Sequence, residues 1–174
     1  MNEAYENLLK RRACKKYTDR QVDEETLDKI LLAGEYAPTG RGLQSPIMAV
    51  VRDPAAVKEV ERLNAAVFGN PEAKTFYGAP TVVVVFGDPD YPFGEADGNL
   101  VIGNLLNAAS ALGVDSCYIW RAKEAFASEE GKALKKKWGV PERFFGVGNV
   151  ILGYGAEGAV KKPVPRKEGY VIKV

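Results

Sequence analysis

The sequence predicts an α+β or α/β fold built on one central sheet. Three observations predict it: helical and strand patterns alternate along the chain, the runs IMAVV (47–51) and TVVVVF (81–86) are apolar enough for buried strands, and no internal repeat or low-complexity run interrupts the alternation. With 174 residues, 46% hydrophobic and 27% charged, the chain reads as a single domain over 1–174 with a substantial core.

The elements follow in order. Tyr5, Leu8 and Leu9 at helical spacing, with Asn2 as N-cap, predict a first helix running into the basic stretch RRACKKYT (11–18). Asp23 caps a second helix, with Glu24 and Glu25 in its first turn, Val22 and Leu27 placed as a hydrophobic staple, and Leu27, Ile30 and Leu31 on one face. That helix stops near Gly34 or by Pro38, and APTGRGLQSP (37–46) is a loop before the strand IMAVV. Asp53 and Pro54, a cap followed by proline at the first helical position, open a third helix through Val57, Val60 and Leu63.

After a turn-rich link (69–80), TVVVVF is almost purely β-branched. GDPDYPFGEADG (87–98) reads as a loop long enough for a site lid. NLVIGNLLNAASALG (99–113) is apolar on most faces, as expected of a helix buried in the protein or at a subunit interface. DSCYIW (115–120) is a third strand, EEGKALKKKWG (129–139) an amphipathic helix capped by Ser128, and FFGVGNVILGYG (144–155) a fourth strand. The tail ends in an alternating segment suited to a sheet edge, in this chain or in a partner subunit.

Composition narrows the chemistry. Net charge is +1 from 24 cations and 23 anions, so no global field draws nucleic acid or an acidic membrane, and any anion site must be local. No stretch is long and apolar enough to span a bilayer and the start lacks an apolar leader core, so a cytoplasmic protein is expected. Cys14 and Cys117 stand far apart and outside any C-x-x-C framework, which suits reduced, buried thiols. The chain contains no His and no Cys cluster, which removes the common zinc sites and every His-dependent triad. A redox or transfer enzyme so equipped would borrow its chemistry from an organic cofactor.

Two motifs bear on that cofactor. GYGAEG (153–158) matches G-x-G-x-x-G after a strand, but AVKKPVPRK places two prolines where the phosphate-binding helix should run. The glycines therefore read as a strand-ending turn. The basic stretch at Arg11, Arg12, Lys15 and Lys16 has a counterpart in Lys161, Lys162, Arg166 and Lys167, far away in sequence. The pair reads either as two solvated patches or as two walls around one phosphate, for which Arg supplies a fork and Lys a point charge. A nucleic-acid surface built on the same cations finds little support in the charge balance.

Taken together, RRACKKYTD, then YAPTGRGLQSP before a strand, then NLLNAASALGVDSCYIWRAKEAF, then GNVILGYG with its proline- and cation-rich tail resemble the nitroreductase family of FMN-dependent oxidoreductases, in order and over nearly the whole chain. The resemblance implies an α+β fold with a central, mostly antiparallel sheet flanked by helices. It also implies a domain-swapped homodimer exchanging C-terminal segments, FMN at the subunit interface, NADH or NADPH as electron donor, and a small acceptor such as a nitroaromatic or quinone.

By position, Arg11 and Lys15 match cations that hold the FMN phosphate and ribityl chain, with Arg12 and Ala13 in the same segment, and Arg166 and Lys167 match the tail that reaches that phosphate. Pro38, Thr39 and Gln44 match a loop of the other subunit lying along the flavin, and Asn70 lies near a polar flavin contact. Ile119, Trp120 and Arg121 match the strand end whose backbone donates to flavin N5. Three residues depart from the family pattern: Ala13 replaces a usual Ser, Gly42 a usual Asn, and Trp120 a small or polar residue. No side chain is expected to act as acid or base, and no metal is expected.

Overall fold

The computed structural model describes residues 2–174. Helices α1 (Glu3–Lys10) and α2 (Glu24–Glu35) precede strand β1 (Ile47–Val51), and α3 (Pro54–Val67) leads to β2 (Thr81–Gly87). Then follow α4 (Gly94–Ala111), β3 (Asp115–Ile119), α5 (Ala122–Ala127), α6 (Glu129–Lys137) and β4 (Phe145–Gly153). The four strands form one sheet in the order β1-β2-β4-β3, and every neighbouring pair is antiparallel. The α+β alternative is therefore the observed one.

The helix starts follow local chemistry. Asp23 accepts from the Thr26 amide and Asp53 from the Ala56 amide, while Ser128 Oγ accepts from the Gly131 amide at 3.1 Å. Val22 and Leu27 are both buried where the staple places them.

Strand β2 is central and buried at every position, and its alternation divides the core in two. Val82, Val84 and Phe86 face the layer that holds Val57, Val60, Phe126 and Cys14; Val83 and Val85 face the layer that holds Leu27, Ile30, Val101 and Leu105. Helices α3, α5 and α6 thus cover one face, and α2 and α4 the other.

Four expectations are corrected. Helix α1 does not run through the basic stretch: Arg11 leaves helical geometry at φ −52° and ψ 133°. The lid loop is shorter than expected, because Gly94–Gly98 is the first turn of α4. That start carries no side-chain cap; Asp97 is buried and accepts instead from the Gly40 amide at 3.0 Å. Helix α5 was not foreseen, since its N-cap is Arg121 in the left-handed region at φ 78°, with no capping side chain. Within this chain residues 161–174 form no strand, and beyond the isolated bridge of Cys14 with Val160 the tail is exposed.

No helix among the described residues is long and apolar enough to cross a membrane.

Candidate functional site

The site begins where α1 ends. The Arg12 guanidinium folds back, and its Nη1 donates to the Leu9 and Arg11 carbonyls at 2.7 and 2.6 Å, closing the helix terminus. The chain beyond runs extended. Ala13 bridges Ser116 of β3 in parallel, Cys14 bridges Val160 antiparallel, and Tyr17 bridges Gly155. Residues 13–17 are therefore held between β3 and the segment that follows β4.

Alternation along this extended piece sends Cys14 inward, fully buried, and leaves Ala13 and Lys15 outward. Arg11 and Lys15 still come to one side, by a two-residue period rather than a helical one.

The glycines of GYGAEG belong to this junction. A Cβ on Gly155 would lie 3.1 Å from the Cys14 sulfur, and one on Gly153 would lie 2.8 Å from the Pro80 ring. They permit close packing, and no helix follows them.

A cavity of about 330 Å³ opens on the outward side, lined by Arg11, Arg12, Ala13 and Lys15 from one end of the chain and by Lys161, Lys162 and Arg166 from the other. The two basic clusters are thus brought together. Lys16 lies outside this lining. So does Lys167, whose ammonium sits 5.7 Å from the Tyr170 ring.

Ala13 and Lys15 also line a second cavity of about 540 Å³ along the open edge of β3. Its walls include Cys117, Tyr118, Ile119, Trp120 and Arg121, together with Phe68, Lys74 and Tyr77 from the link after α3. The Arg121 guanidinium stacks over Phe68 at 4.7 Å, and the Lys15 ammonium lies 5.8 Å from the Tyr77 ring. Asn70 is not in the lining; its Oδ1 accepts from the Glu72 amide at 3.2 Å and so shapes the adjoining turn. Lys74 was missed in the sequence, because a cation in a turn-rich link shows no periodicity.

The end of β3 is held from behind by two buried asparagines. Asn64 Nδ2 on α3 donates to the Trp120 carbonyl at 2.6 Å, and Asn149 Nδ2 on β4 donates to the Ile119 carbonyl at 3.3 Å. The Oδ1 atom of each is buried without a hydrogen-bond partner. Such an atom costs about 1–3 kcal/mol.

Burial pushes both thiols up from their usual value. For Cys117 the charges of Lys15 and Arg11 oppose that rise, and for Cys14 a hydrogen bond with the Lys16 backbone opposes it. Neither is arranged as a nucleophile.

The loop before β1 stands elsewhere. Thr39 and Gln44 line a separate cavity of about 160 Å³ with Glu35, Met48 and Val101, and Thr39 Oγ1 accepts from the Gln44 amide at 3.0 Å. Pro38 lies between the lining residues Ala37 and Thr39 and is not itself in the lining. The loop is tightly wound: Arg41, Gly42 and Gln44 all have positive φ. It leads into β1, while Ile119 ends β3, and these are opposite edges of the sheet. Ala49 pairs with Val84, Val84 with Asn149 and Asn149 with Ile119, so about 14 Å separates the two edges at that level. One chain does not bring both to a single flat ligand.

Comparison with known proteins decides the family. A sequence model of the Nitroreductase family matches residues 8–154. The chain belongs to the nitroreductase family. A nitroreductase of Bacteroides fragilis NCTC 9343, solved with bound FMN, superposes with a TM-score of 0.93 at 30% identity over 100% of both chains. Another from Desulfitobacterium hafniense DCB-2, also with bound FMN, gives a TM-score of 0.89 at 26% identity, covering 100% of this chain and 99% of that one. A relative from Archaeoglobus fulgidus is 32% identical over 160 residues, 88% of this chain and 86% of its own, and goes under the name NADH dehydrogenase/NAD(P)H nitroreductase.

Proposed function

We propose that this nitroreductase-family chain is an FMN-dependent NAD(P)H oxidoreductase acting in the cytoplasm as a homodimer. The observation that carries the reading is the meeting of two basic clusters, from opposite ends of the sequence, around one cavity that shares Ala13 and Lys15 with a second along the edge of β3. Arg11, Lys15, Lys161 and Arg166 suit a phosphate monoester, and the adjoining 540 Å³ suits a flat ring system. FMN has both parts, and FMN-bound relatives share the fold.

When bound, FMN would supply the redox chemistry, taking hydride from NADH or NADPH and passing electrons to a small acceptor such as a nitroaromatic or quinone. The chain's own residues would do the rest. Arg11, Lys15 and Arg166 would hold the phosphate, with Arg12 fixing the segment that presents them. The backbone at Ile119–Arg121 would offer donors to the ring edge, and Lys15, Lys74 and Arg121 would favour negative charge there. Trp120, 64% exposed at this rim, would limit which acceptors fit.

A second copy would supply what one chain cannot. Thr39 and Gln44 lie on the opposite sheet edge from Trp120, so their contact with the same ring requires the partner's loop. The exposed apolar residues agree with an obligate pair: Tyr5, Leu8 and Leu9 on α1, and Tyr170, Val171 and Ile172 at the end of the tail. Exchange of that tail would cover both.

The test is anaerobic. Protein loaded with FMN should lose its flavin absorbance on addition of NADH or NADPH and regain it with a quinone. Failure with both donors leaves a flavin-binding relative without reductase activity. A chain that takes up no FMN overturns the whole reading.

A further inference from the structure

We propose that Asn64 and Asn149 are positioning residues that set the peptide planes at the end of β3, so that the Trp120 and Arg121 amides project into the cavity as a fixed pair of donors. The inference rests on the reading of that cavity as the flavin-ring site.

The argument starts from the peptide bond. A trans peptide is planar, so its N–H points opposite to its C=O. No cis peptide occurs among the described residues. The Ile119 carbonyl is drawn toward Asn149 on β4, and the Trp120 N–H on the same plane is therefore directed away from β4, out of the open edge of the sheet. The Trp120 carbonyl is drawn toward Asn64 on α3, and the Arg121 N–H is directed away from α3. Trp120 and Arg121 both line the 540 Å³ cavity on that outer side.

Two consecutive planes fixed in this way do not follow from strand geometry alone. Strand β3 ends at Ile119, and Arg121 lies in the left-handed region at φ 78°, where a non-glycine residue is uncommon. The chain turns sharply here: the ladder to β4 ends at the Ile119–Asn149 pair, and past it the Trp120 carbonyl is held by the Asn64 carboxamide.

Their chemistry supports a positioning role over a purely stabilising one. Asn64 and Asn149 are 0% and 1% exposed, and each leaves its Oδ1 without a partner. An apolar side chain of similar shape would avoid both buried oxygens, at the loss only of the grip on the two carbonyls. What the asparagines add is direction. Two preset N–H groups beside Lys15, Lys74 and Arg121 form an edge suited to the acceptor atoms of a flat heteroaromatic ring.

The experiment compares Asn64→Leu and Asn149→Leu with wild type, with Asn104→Leu as control. Asn104 Nδ2 also donates to a backbone carbonyl, that of Ala33 at 2.9 Å, but on the other face of the sheet. Amide hydrogen exchange on the flavin-free protein should quicken at residues 120 and 121 in the two site variants by on the order of tenfold, and remain unchanged there in the control. FMN dissociation constants, followed by flavin fluorescence, should rise by about tenfold in the site variants, with a shifted visible band of the bound flavin. Thermal midpoints should not rank the variants in the same order. Asn64→Ser and Asn149→Ser serve as smaller replacements if a leucine prevents folding. Unchanged exchange at 120 and 121, or unchanged FMN affinity in variants whose wild type binds FMN, overturns the proposal. A wild type that binds no FMN overturns the parent reading and the ligand assigned to this edge with it.

Discussion

Ala13 pairs in parallel with Ser116, and the Cys14 amide donates to the Ser116 carbonyl at 3.0 Å. This short bridge joins the N-terminal cations to the sheet. It makes Ala13 and Lys15 common to the basic cavity and to the cavity along β3, so that the two adjoin.

The tail completes the basic cavity through Lys161, Lys162 and Arg166. Removing residues 161–174 should therefore weaken FMN binding by more than the loss of Arg166 alone. If the tail also spans the subunit interface, light scattering should show the truncated chain dissociating at concentrations where the full chain is a dimer.

Asp88 follows β2 and is almost fully buried, and its carboxylate accepts from Arg143 Nη2 at 2.9 Å and Nε at 3.2 Å. The Arg143 guanidinium holds the carboxyl below its ordinary value of 3.8. A lowered folded-state pKa contributes stability that is fully present above 3.8 and is lost as pH falls through the folded value. Asp88→Asn should thus be less stable than wild type at pH 7 by urea denaturation. The difference should vanish in strong acid.

Gly146 lies on β4 against α5, and a Cβ there would stand 2.4 Å from the Ala122 carbonyl oxygen. Backbone cannot give way as a flexible side chain can. Gly146→Ala should cost about 1–3 kcal/mol in chemical denaturation. It should also disturb FMN binding, because Ala122 follows directly on Arg121.

Phe126 on α5 is buried, meets the Phe86 ring edge-on at 5.0 Å and lies 5.7 Å from Trp138. Phe126→Ala should cost about 3–5 kcal/mol through the cavity it leaves. Differential scanning calorimetry should show the fall in midpoint.

Much of this was legible in the sequence, where strong local signals agree with tertiary packing. Asp53 with Pro54, Asp23 with its acidic first turn, and Ser128 mark helix starts because the capping chemistry is in the sequence itself. TVVVVF reads as buried because both faces of β2 are covered. The misses have physical reasons. Helix α4 begins at Gly94 without a capping side chain, and α5 begins at a left-handed arginine; neither leaves a composition signal. Helix α1 stops because Arg12 turns back on its carbonyls, which spacing does not reveal.

The candidate site was legible in parts. Charge clustering pointed to the two basic stretches, and the family resemblance to Arg11, Lys15 and Arg166 within them; the stretches meet beside the Cys14–Val160 bridge. Lys74, Asn64 and Asn149 were not. Lys74 reaches the cavity only through the turn after α3, and a buried asparagine in an apolar segment shows its role only when the carbonyl it grips is known.

The most direct test is titration of flavin-free protein with FMN for wild type, Arg11→Ala and Lys16→Ala, following flavin fluorescence. Wild type should bind one FMN per chain, Lys16→Ala should bind alike, and Arg11→Ala should bind at least about tenfold more weakly, as expected for a lost charge-assisted contact. Equal affinity of the two variants, or no saturable binding by wild type, would contradict the assignment of the basic cavity to the phosphate of FMN.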